Sequence, residues 1–232
     1  MLNGRFWQGY MRRVFIPQLE ALSAWVVGRL LPAFEPIDDE ATAVAKQTYD
    51  DLLNEVTDPD MDISSLAEQA RDAGLRYYQI ADGVRQGLLN VAAVWLYHLF
   101  EQQLLAFLRK ELLTPWEEDE RALLKVGEFR KRLASHGMEV EGFTDWVKVD
   151  ELRLLSNAIK HGDGGSVDKI KVLRPDLFSP PEMDGPRVPA HQVVLPLIGE
   201  DVFLTAESFK DYSSACIGFI EELSDRLASS CG

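Results

Sequence analysis

The chain has 232 residues, of which 46% are hydrophobic and 27% are charged; this composition excludes an intrinsically disordered protein and is sufficient for one large domain. The formal net charge of −14 excludes nucleic-acid binding over the whole surface, because such binding depends on Lys and Arg side chains that neutralise phosphates. Any phosphate site must therefore be local. The two cysteines, Cys216 and Cys231, match no metal-ligand spacing and are too few for a disulfide framework, which favours a reducing cytoplasm.

Helical periodicity covers most of the chain up to Gly162, with turn-forming and capping residues at the breaks. Thr114 is placed to cap a helix that has Pro115 at its first position, and Gly137 is placed to end that helix. The predicted helices cover roughly residues 8–31, 39–56, 64–81, 84–113, 115–136 and 145–161.

The sequence changes in character beyond the last of these helices. Five prolines prevent regular helix or central strand in residues 174–190, which predicts a proline-rich arm. Residues 192–197 and 201–205 flank an Ile-Gly-Glu turn and predict a small β-hairpin. Thr205 is then placed to cap a last helix over residues 206–228.

This order of elements predicts a mainly α fold, a multi-helix bundle. We expect residues 1–173 to form the helical core, with the arm, the hairpin and the C-terminal helix of residues 174–232 packing on the same domain. Two apolar stretches, 14–34 and 88–108, are interrupted by polar or charged residues. Neither matches a signal peptide or a membrane-spanning helix, so we expect no membrane association and a cytoplasmic location.

Residues 84–113 are apolar nearly all round a helix, which predicts a place at the centre of the bundle. Asn90, Tyr97 and Glu101 share one side of this helix, within about 40° of one another, with His98 beside them. These polar side chains either hydrogen-bond to other helices in the interior or form one wall of an active site. The spacing of His98 and Glu101 does not match the His-Glu-x-x-His zinc motif, and the sequence predicts no metal and no cofactor.

The helix predicted over residues 145–161 has one apolar side and one polar side. An acid, a guanidinium, an amide and an imidazole form a strip along the polar side, with an ammonium group at its edge. The residues of this strip are Asp150, Arg153, Asn157, His161 and Lys160.

These residue types are the ones that metal-independent RNA cleavage requires. The imidazole of His161 would move a proton to or from the ribose or the leaving oxygen, while Arg153 and Lys160 would hold the phosphate. Asn157 would orient either group, with Asp150, His98 and Glu101 in support. Residues 147–175 contain six Lys or Arg against four acids, a local excess of positive charge in an acidic protein.

The same pattern has a purely structural interpretation. Lys160 and His161 in the last turn of a helix complement its dipole, and a polar side opposite an apolar one is ordinary for a surface helix. The glycine-rich stretch from Gly162 to Gly165 fits a helix stop followed by a new helix start, or alternatively a phosphate-binding loop.

A resemblance to a known superfamily bears on this choice. The segments 152–164 (LRLLSNAIKHGDG), 173–178 (LRPDLF) and 96–101 (LYHLFE) resemble bacterial helical proteins related to the HEPN superfamily. The resemblance implies a small helical bundle, dimerisation, and metal-independent ribonuclease activity in toxin–antitoxin or antiphage systems. The superfamily pattern is an Arg, four to six residues, and a His, commonly with Asn directly after the Arg; here Ser156 precedes Asn157, and seven residues separate Arg153 from His161.

Two hypotheses follow from the sequence. In the first, the protein is a HEPN-like endoribonuclease of a toxin or antiphage type, acting as a homodimer that pairs two copies of the 145–161 helix and binds RNA through the local basic strip only. In the second, the bundle is a non-catalytic module that binds a partner protein, or the neutralising partner in such a system, in agreement with its acidity and its proline-rich arm.

Overall fold

The computed structural model of the protein describes residues 2–55, 63–162, 164–179 and 202–229. Within these ranges the protein is mainly helical and contains no β-strand, which confirms the mainly α fold. Of the predicted β-hairpin, residues 192–197 lie outside the described ranges, and Val202–Thr205 do not form a strand. The arm lies outside them from residue 180 onward, whereas Pro175–Phe178 form a 3-10 turn.

The first helical segment is longer than predicted and is interrupted by two wide turns. It consists of α1 (Gly4–Tyr10), a π-helical turn (Met11–Phe15), α2 (Ile16–Trp25), a second π-helical turn (Val26–Leu30) and a 3-10 turn (Leu31–Phe34). Pro17 is the second residue of α2, after the first wide turn, and the first turn of a helix is where a proline is best tolerated.

The next two helices form a hairpin, α3 (Ile37–Glu55) and α4 (Ile63–Phe107). Their close packing depends on Gly74, since a Cβ at this position would lie 2.7 Å from the carbonyl oxygen of Ala41. The predicted break between residues 81 and 84 is wrong, because α4 continues through it. Arg85 donates to Asp82 Oδ1 at 2.6 Å across one helical turn, and a single glycine without proline is tolerated inside a long helix.

The expectation that residues 84–113 are buried all round is only partly met. The side of α4 that faces the bundle is fully buried, including Leu96 and Leu104. On another side, Val91 and Trp95 are 60% and 59% exposed, so α4 borders the core instead of lying at its centre.

The helix predicted over residues 115–136 is much shorter, because α5 spans Val126–Ser135. Thr114 does not cap a helix: its backbone N–H and its hydroxyl donate to a Glu117 carboxylate oxygen, at 2.9 and 3.0 Å. The other oxygen of that carboxylate accepts from Arg132 at 2.6 Å, so the segment forms a turn fixed to α5. Gly137, at φ +77°, ends α5 as predicted.

The last three helices are α6 (Trp146–His161), α7 (Gly165–Leu173) and α8 (Ala206–Ser229). Gly162 ends α6 with φ +66°, and its N–H donates to the Ala158 carbonyl, which confirms the helix-stop interpretation of this glycine. Thr205 caps α8 as predicted, since its Oγ1 accepts from Ser208 N at 3.1 Å.

The core is a single cluster around α8, whose large side chains are buried against α1, α2, α4 and α6. Phe219 contacts Phe100 edge-on at 5.5 Å and stacks on Phe143 at 4.6 Å between ring centroids. The C-terminal helix is therefore part of the same core as the segment that precedes residue 174.

Two helical stretches, Gly4–Glu55 and Ile63–Leu112, are long and apolar enough to cross a membrane by length and composition alone. Half of the most apolar window of the second stretch is buried inside the protein. The core helix of a soluble protein and a signal sequence pass the same test, and a cytoplasmic location without membrane contact stays a prediction.

Candidate functional site

A polar cleft of about 430 Å³ lies between α4, the first half of α5 and α6. The residues that line it are Tyr97, Glu101, Val126, Gly127, Arg130, Trp146, Asp150, Arg153, Asn157 and Lys160. Five of the seven residues predicted for the site thus share one cavity: Glu101, Asp150, Arg153, Asn157 and Lys160.

The periodicity of α6 brings these groups together. Val149, Leu152 and Leu155 are buried on the core side of the helix. Asp150, Arg153 and Asn157 lie at intervals of three and four residues on the cleft side, where successive helical turns stack side chains above one another. The predicted polar strip therefore forms one wall of the cleft except at His161, which does not line it.

Arg153 is a cation of the cleft whose orientation is fixed by a neighbouring carboxylate. Its Nε donates to Asp150 Oδ1 at 2.7 Å, and this hydrogen bond raises the pKa of Arg153 above its ordinary value. The guanidinium has five N–H donors, of which this contact uses one. The remaining donors allow Arg153 to bind a phosphate while Asp150 fixes its orientation.

The opposite wall is formed by Tyr97 and Glu101 of α4. Tyr97 is 4% exposed, and burial, reinforced by the negative charge of Glu101, raises the pKa of its phenol well above the ordinary value. The phenol therefore stays protonated, and its O–H can donate a hydrogen bond. Asn90, from the same predicted stripe, is instead buried and donates to the Val202 carbonyl at 2.8 Å, so for this residue the interior hydrogen-bonding interpretation is correct.

Sequence reasoning missed Arg130, which reaches the cleft from α5. Its guanidinium lies 5.3 Å from the centroid of the Trp146 ring, and it pairs with Glu141. Cation–π contact and the ion pair together fix this side chain at the rim of the cleft. No local pattern marks Arg130, because its place depends on how α5 packs against α6.

Neither predicted histidine lines the cleft. His161 is the last residue of α6 and is exposed. His98 is also exposed, and its Nδ1 lies 3.9 Å from Glu101 Oε2. Among the residues that the structure describes, the cleft thus has three cations and two carboxylates but no imidazole.

Ser156, which precedes Asn157, is fully buried, and its hydroxyl has no hydrogen-bond partner among the described residues. An arginine at position 156 would place its guanidinium in the apolar interior, where an unpaired charge is very costly. The side chain at position 156 therefore points into the core and cannot line the cleft. Arg153 is the arginine of α6 that lines it.

Two of the six basic residues between positions 147 and 175, Lys148 and Arg174, form ion pairs inside the fold. Lys148 and Arg174 both donate to Glu151 Oε1, at 2.9 and 2.8 Å, and Tyr212 donates to the same oxygen at 2.7 Å. Burial by itself raises the pKa of Glu151, but these hydrogen bonds outweigh it and lower the pKa. Lys148 and Arg174 link α6 to α8 and to the 3-10 turn, so their charges are paired within the fold.

Within the described residues, no group of three or more His, Cys, Asp or Glu side chains is placed to hold a metal ion. Comparisons with protein-family models, curated proteins and solved structures find no match for this chain.

Proposed function

We propose that the cleft between α4, α5 and α6 binds a phosphate group of RNA, and that the protein is a HEPN-like, metal-independent endoribonuclease of a bacterial toxin or antiphage-defence type. The observation behind this proposal is the presence of Arg153, Asn157 and Lys160 on one wall of a single cleft. Such a donor set suits a phosphate oxygen, because arginine binds it through two hydrogen bonds and an amide adds a third.

Cleavage needs a proton-transfer group beside the bound phosphate. The ribose 2′-hydroxyl loses its proton as its oxygen attacks the adjacent phosphorus, and the bond from phosphorus to the 5′-oxygen breaks as that oxygen gains a proton. The products are a 2′,3′-cyclic phosphate and a 5′-hydroxyl; an imidazole carries out one of the two proton transfers and water the other. His161 lies one helical turn beyond Asn157 on α6, about 6 Å along the axis. In this proposal the RNA strand leaves the cleft over the end of α6, where it meets the exposed imidazole.

A non-catalytic binding module is the second candidate. The observation that favours it is that His161 lies outside the lining of the cleft. In that case the cleft still binds RNA or another phosphate-bearing partner, but the bound chain stays intact.

Three variants separate these outcomes. We expect Arg153→Gln to weaken binding of a single-stranded RNA at least tenfold, as loss of a charged bidentate contact would. We expect His161→Ala to abolish cleavage and toxicity on expression in bacteria while RNA binding is kept. His136→Ala is the matched control, since His136 is exposed at the end of α5, away from the cleft.

Binding is measured by fluorescence anisotropy and cleavage by gel analysis of RNA, from about pH 5 to pH 8. Binding without cleavage by the wild type supports the non-catalytic module. Wild-type protein that does not bind RNA, or Arg153→Gln protein that binds it normally, contradicts the phosphate-binding proposal itself.

A further inference from the structure

The hydroxyl of Tyr97 is a feature of the cleft that packing does not explain. Tyr97 is 4% exposed, and its ring shares with Phe100, Leu104 and Trp146 the lining of a small cavity beneath the cleft. The ring of a phenylalanine would fill the same apolar place. A buried phenol normally pairs its O–H with an acceptor, so a hydroxyl at this position calls for a partner.

No partner for this hydroxyl is found among the described residues. Glu101, Arg153 and Asp150 act on the phenol through their charges, and none of them forms a hydrogen bond with it. Nor does the hydroxyl belong to the described side-chain atoms that are fully buried without a partner. It is therefore open to the space that Tyr97 lines, which is the cleft.

Tyr212 is the other buried tyrosine of the described residues, and its phenol has a structural role. Its O–H donates to Glu151 Oε1 at 2.7 Å, which links α8 to α6. The two phenols thus differ in one respect: Tyr212 has its acceptor within the fold, whereas Tyr97 presents its donor to the cleft. An acceptor for Tyr97 has to come from a molecule that enters the cleft.

Arg153 faces the same part of the cleft from the other wall. Tyr97 on α4 and Arg153 on α6 both line the cleft and the small cavity beneath it, so they lie at its inner end. Asp150 accepts from one N–H of the guanidinium at 2.7 Å, which leaves further N–H groups for a ligand. A neutral donor and a charged donor are thus held at one place by two different helices.

We propose that Tyr97 is a ligand-binding residue of the cleft, donating its O–H to one oxygen of a bound phosphate while Arg153 donates to another. This role rests on the proposed phosphate-binding function, and it adds a contact from α4 to those of α6. Burial and the charge of Glu101 raise the pKa of the phenol, so it keeps its proton and places no negative charge beside the anion. The phosphate is then held between two helices instead of on one.

The first test is the affinity of Tyr97→Phe for a single-stranded RNA, measured by fluorescence anisotropy. The variant loses one oxygen atom and keeps the ring. We expect binding to weaken about fivefold or more, as loss of a hydrogen bond to a charged group would. A neutral O–H displaces no counterion, so the slope of log K against log salt should stay as in the wild type, whereas Arg153→Gln should make it shallower.

Urea denaturation separates this role from a structural one. Since the Tyr97 hydroxyl has no partner among the described residues, we expect the urea midpoint of Tyr97→Phe to equal that of the wild type or to exceed it. Tyr212→Phe is the matched control. It loses a hydrogen bond of the interior, so its midpoint should fall, and it should bind RNA normally because Tyr212 does not line the cleft.

Inorganic phosphate tests the contact without RNA. A ligand that binds the folded chain raises its thermal unfolding midpoint, and the comparison is made with sodium chloride at equal ionic strength. We expect phosphate to raise the midpoint of the wild type and of Tyr212→Phe, and to have a smaller effect on Tyr97→Phe. If the wild type gives this result but does not bind RNA, the RNA function is contradicted while the role of Tyr97 in phosphate binding is supported.

Normal binding of RNA and phosphate by Tyr97→Phe, alongside weak binding by Arg153→Gln, would overturn this role for Tyr97 but leave the phosphate-binding cleft in place. A urea midpoint that falls as in Tyr212→Phe, or a salt slope as shallow as that of Arg153→Gln, would show that the hydroxyl acts through the fold or through Arg153, and would also overturn it. A wild type that responds neither to RNA nor to phosphate overturns the role of Tyr97 together with the proposed function.

Discussion

Among the single residues of the cleft, Asp150 has two opposite effects on the binding of an anion. It orients Arg153 through a 2.7 Å hydrogen bond, but it also places a negative charge in the cleft that we propose binds a phosphate. Two charges about 4 Å apart repel by about 1 kcal/mol in water and by more near a protein surface. Since an asparagine at this position would keep a hydrogen-bond acceptor for Arg153, we expect Asp150→Asn to strengthen RNA binding about fivefold.

Anisotropy titration with a single-stranded RNA measures this change. Glu101→Gln removes the other carboxylate that lines the cleft, and it serves as the comparison because Glu101 does not pair with Arg153. Weaker binding by Asp150→Asn would mean that the charge of Asp150 is needed to hold Arg153 in place, and that orientation outweighs repulsion.

Most of the side chains that were predicted to share the cleft come from one helix, and Glu101 of α4 is the one that comes from another. Helical spacing was enough to group Asp150, Arg153 and Asn157, because α6 is amphipathic and regular. Spacing could not give the position of Arg130, which depends on the packing of α5. Nor could it show that His161, although on the same side of the ideal helix, lies beyond the lining of the cleft where α6 ends.

At the scale of elements, Glu117 fixes the segment before α5. It accepts hydrogen bonds from Arg132 and Thr114, and these lower its pKa from an ordinary 4.5 to about 2. A carboxylate whose pKa is lower in the folded state stabilises the fold above its ordinary pKa, and this contribution is lost as the pH falls toward the folded value.

We therefore expect Glu117→Gln to be less stable than the wild type at pH 7, with the difference shrinking between about pH 4.5 and pH 2. Urea denaturation at several pH values measures the free energy of unfolding. Glu68→Gln, at an exposed position of α4, is the control and should show no such dependence. A difference between wild type and Glu117→Gln that is constant with pH would exclude this role for the Glu117 carboxylate.

Helix ends were predictable where a capping residue was present and no other interaction competed with it. Gly162 and Thr205 end and begin their helices as capping residues do. The expected break near Gly83 failed because glycine weakens a helix without preventing it, and α4 is stabilised on both sides of that residue by packing. The helix start at Thr114 failed because the Thr114 hydroxyl donates to the Glu117 carboxylate instead of accepting from a backbone N–H of the next turn, and no α-helix follows before Val126.

At the scale of the whole molecule, a net charge of −14 surrounds a cleft with three cations. RNA should therefore touch the protein at few phosphates, and the salt dependence of binding reports their number. For single strands the slope of log K against log salt is about −0.7 per phosphate neutralised, so we expect a slope of roughly −2. A surface-wide binder with six or more contacts would give about −4 or steeper.

The same salt titration, repeated with single variants, shows which cations neutralise RNA phosphates. Arg153→Gln and Lys160→Gln should each make the slope shallower by about 0.7, whereas Lys148→Gln should not, because Lys148 is paired with Glu151 outside the cleft. A slope that stays near −2 in both cleft variants would show that the phosphates are bound elsewhere on the molecule.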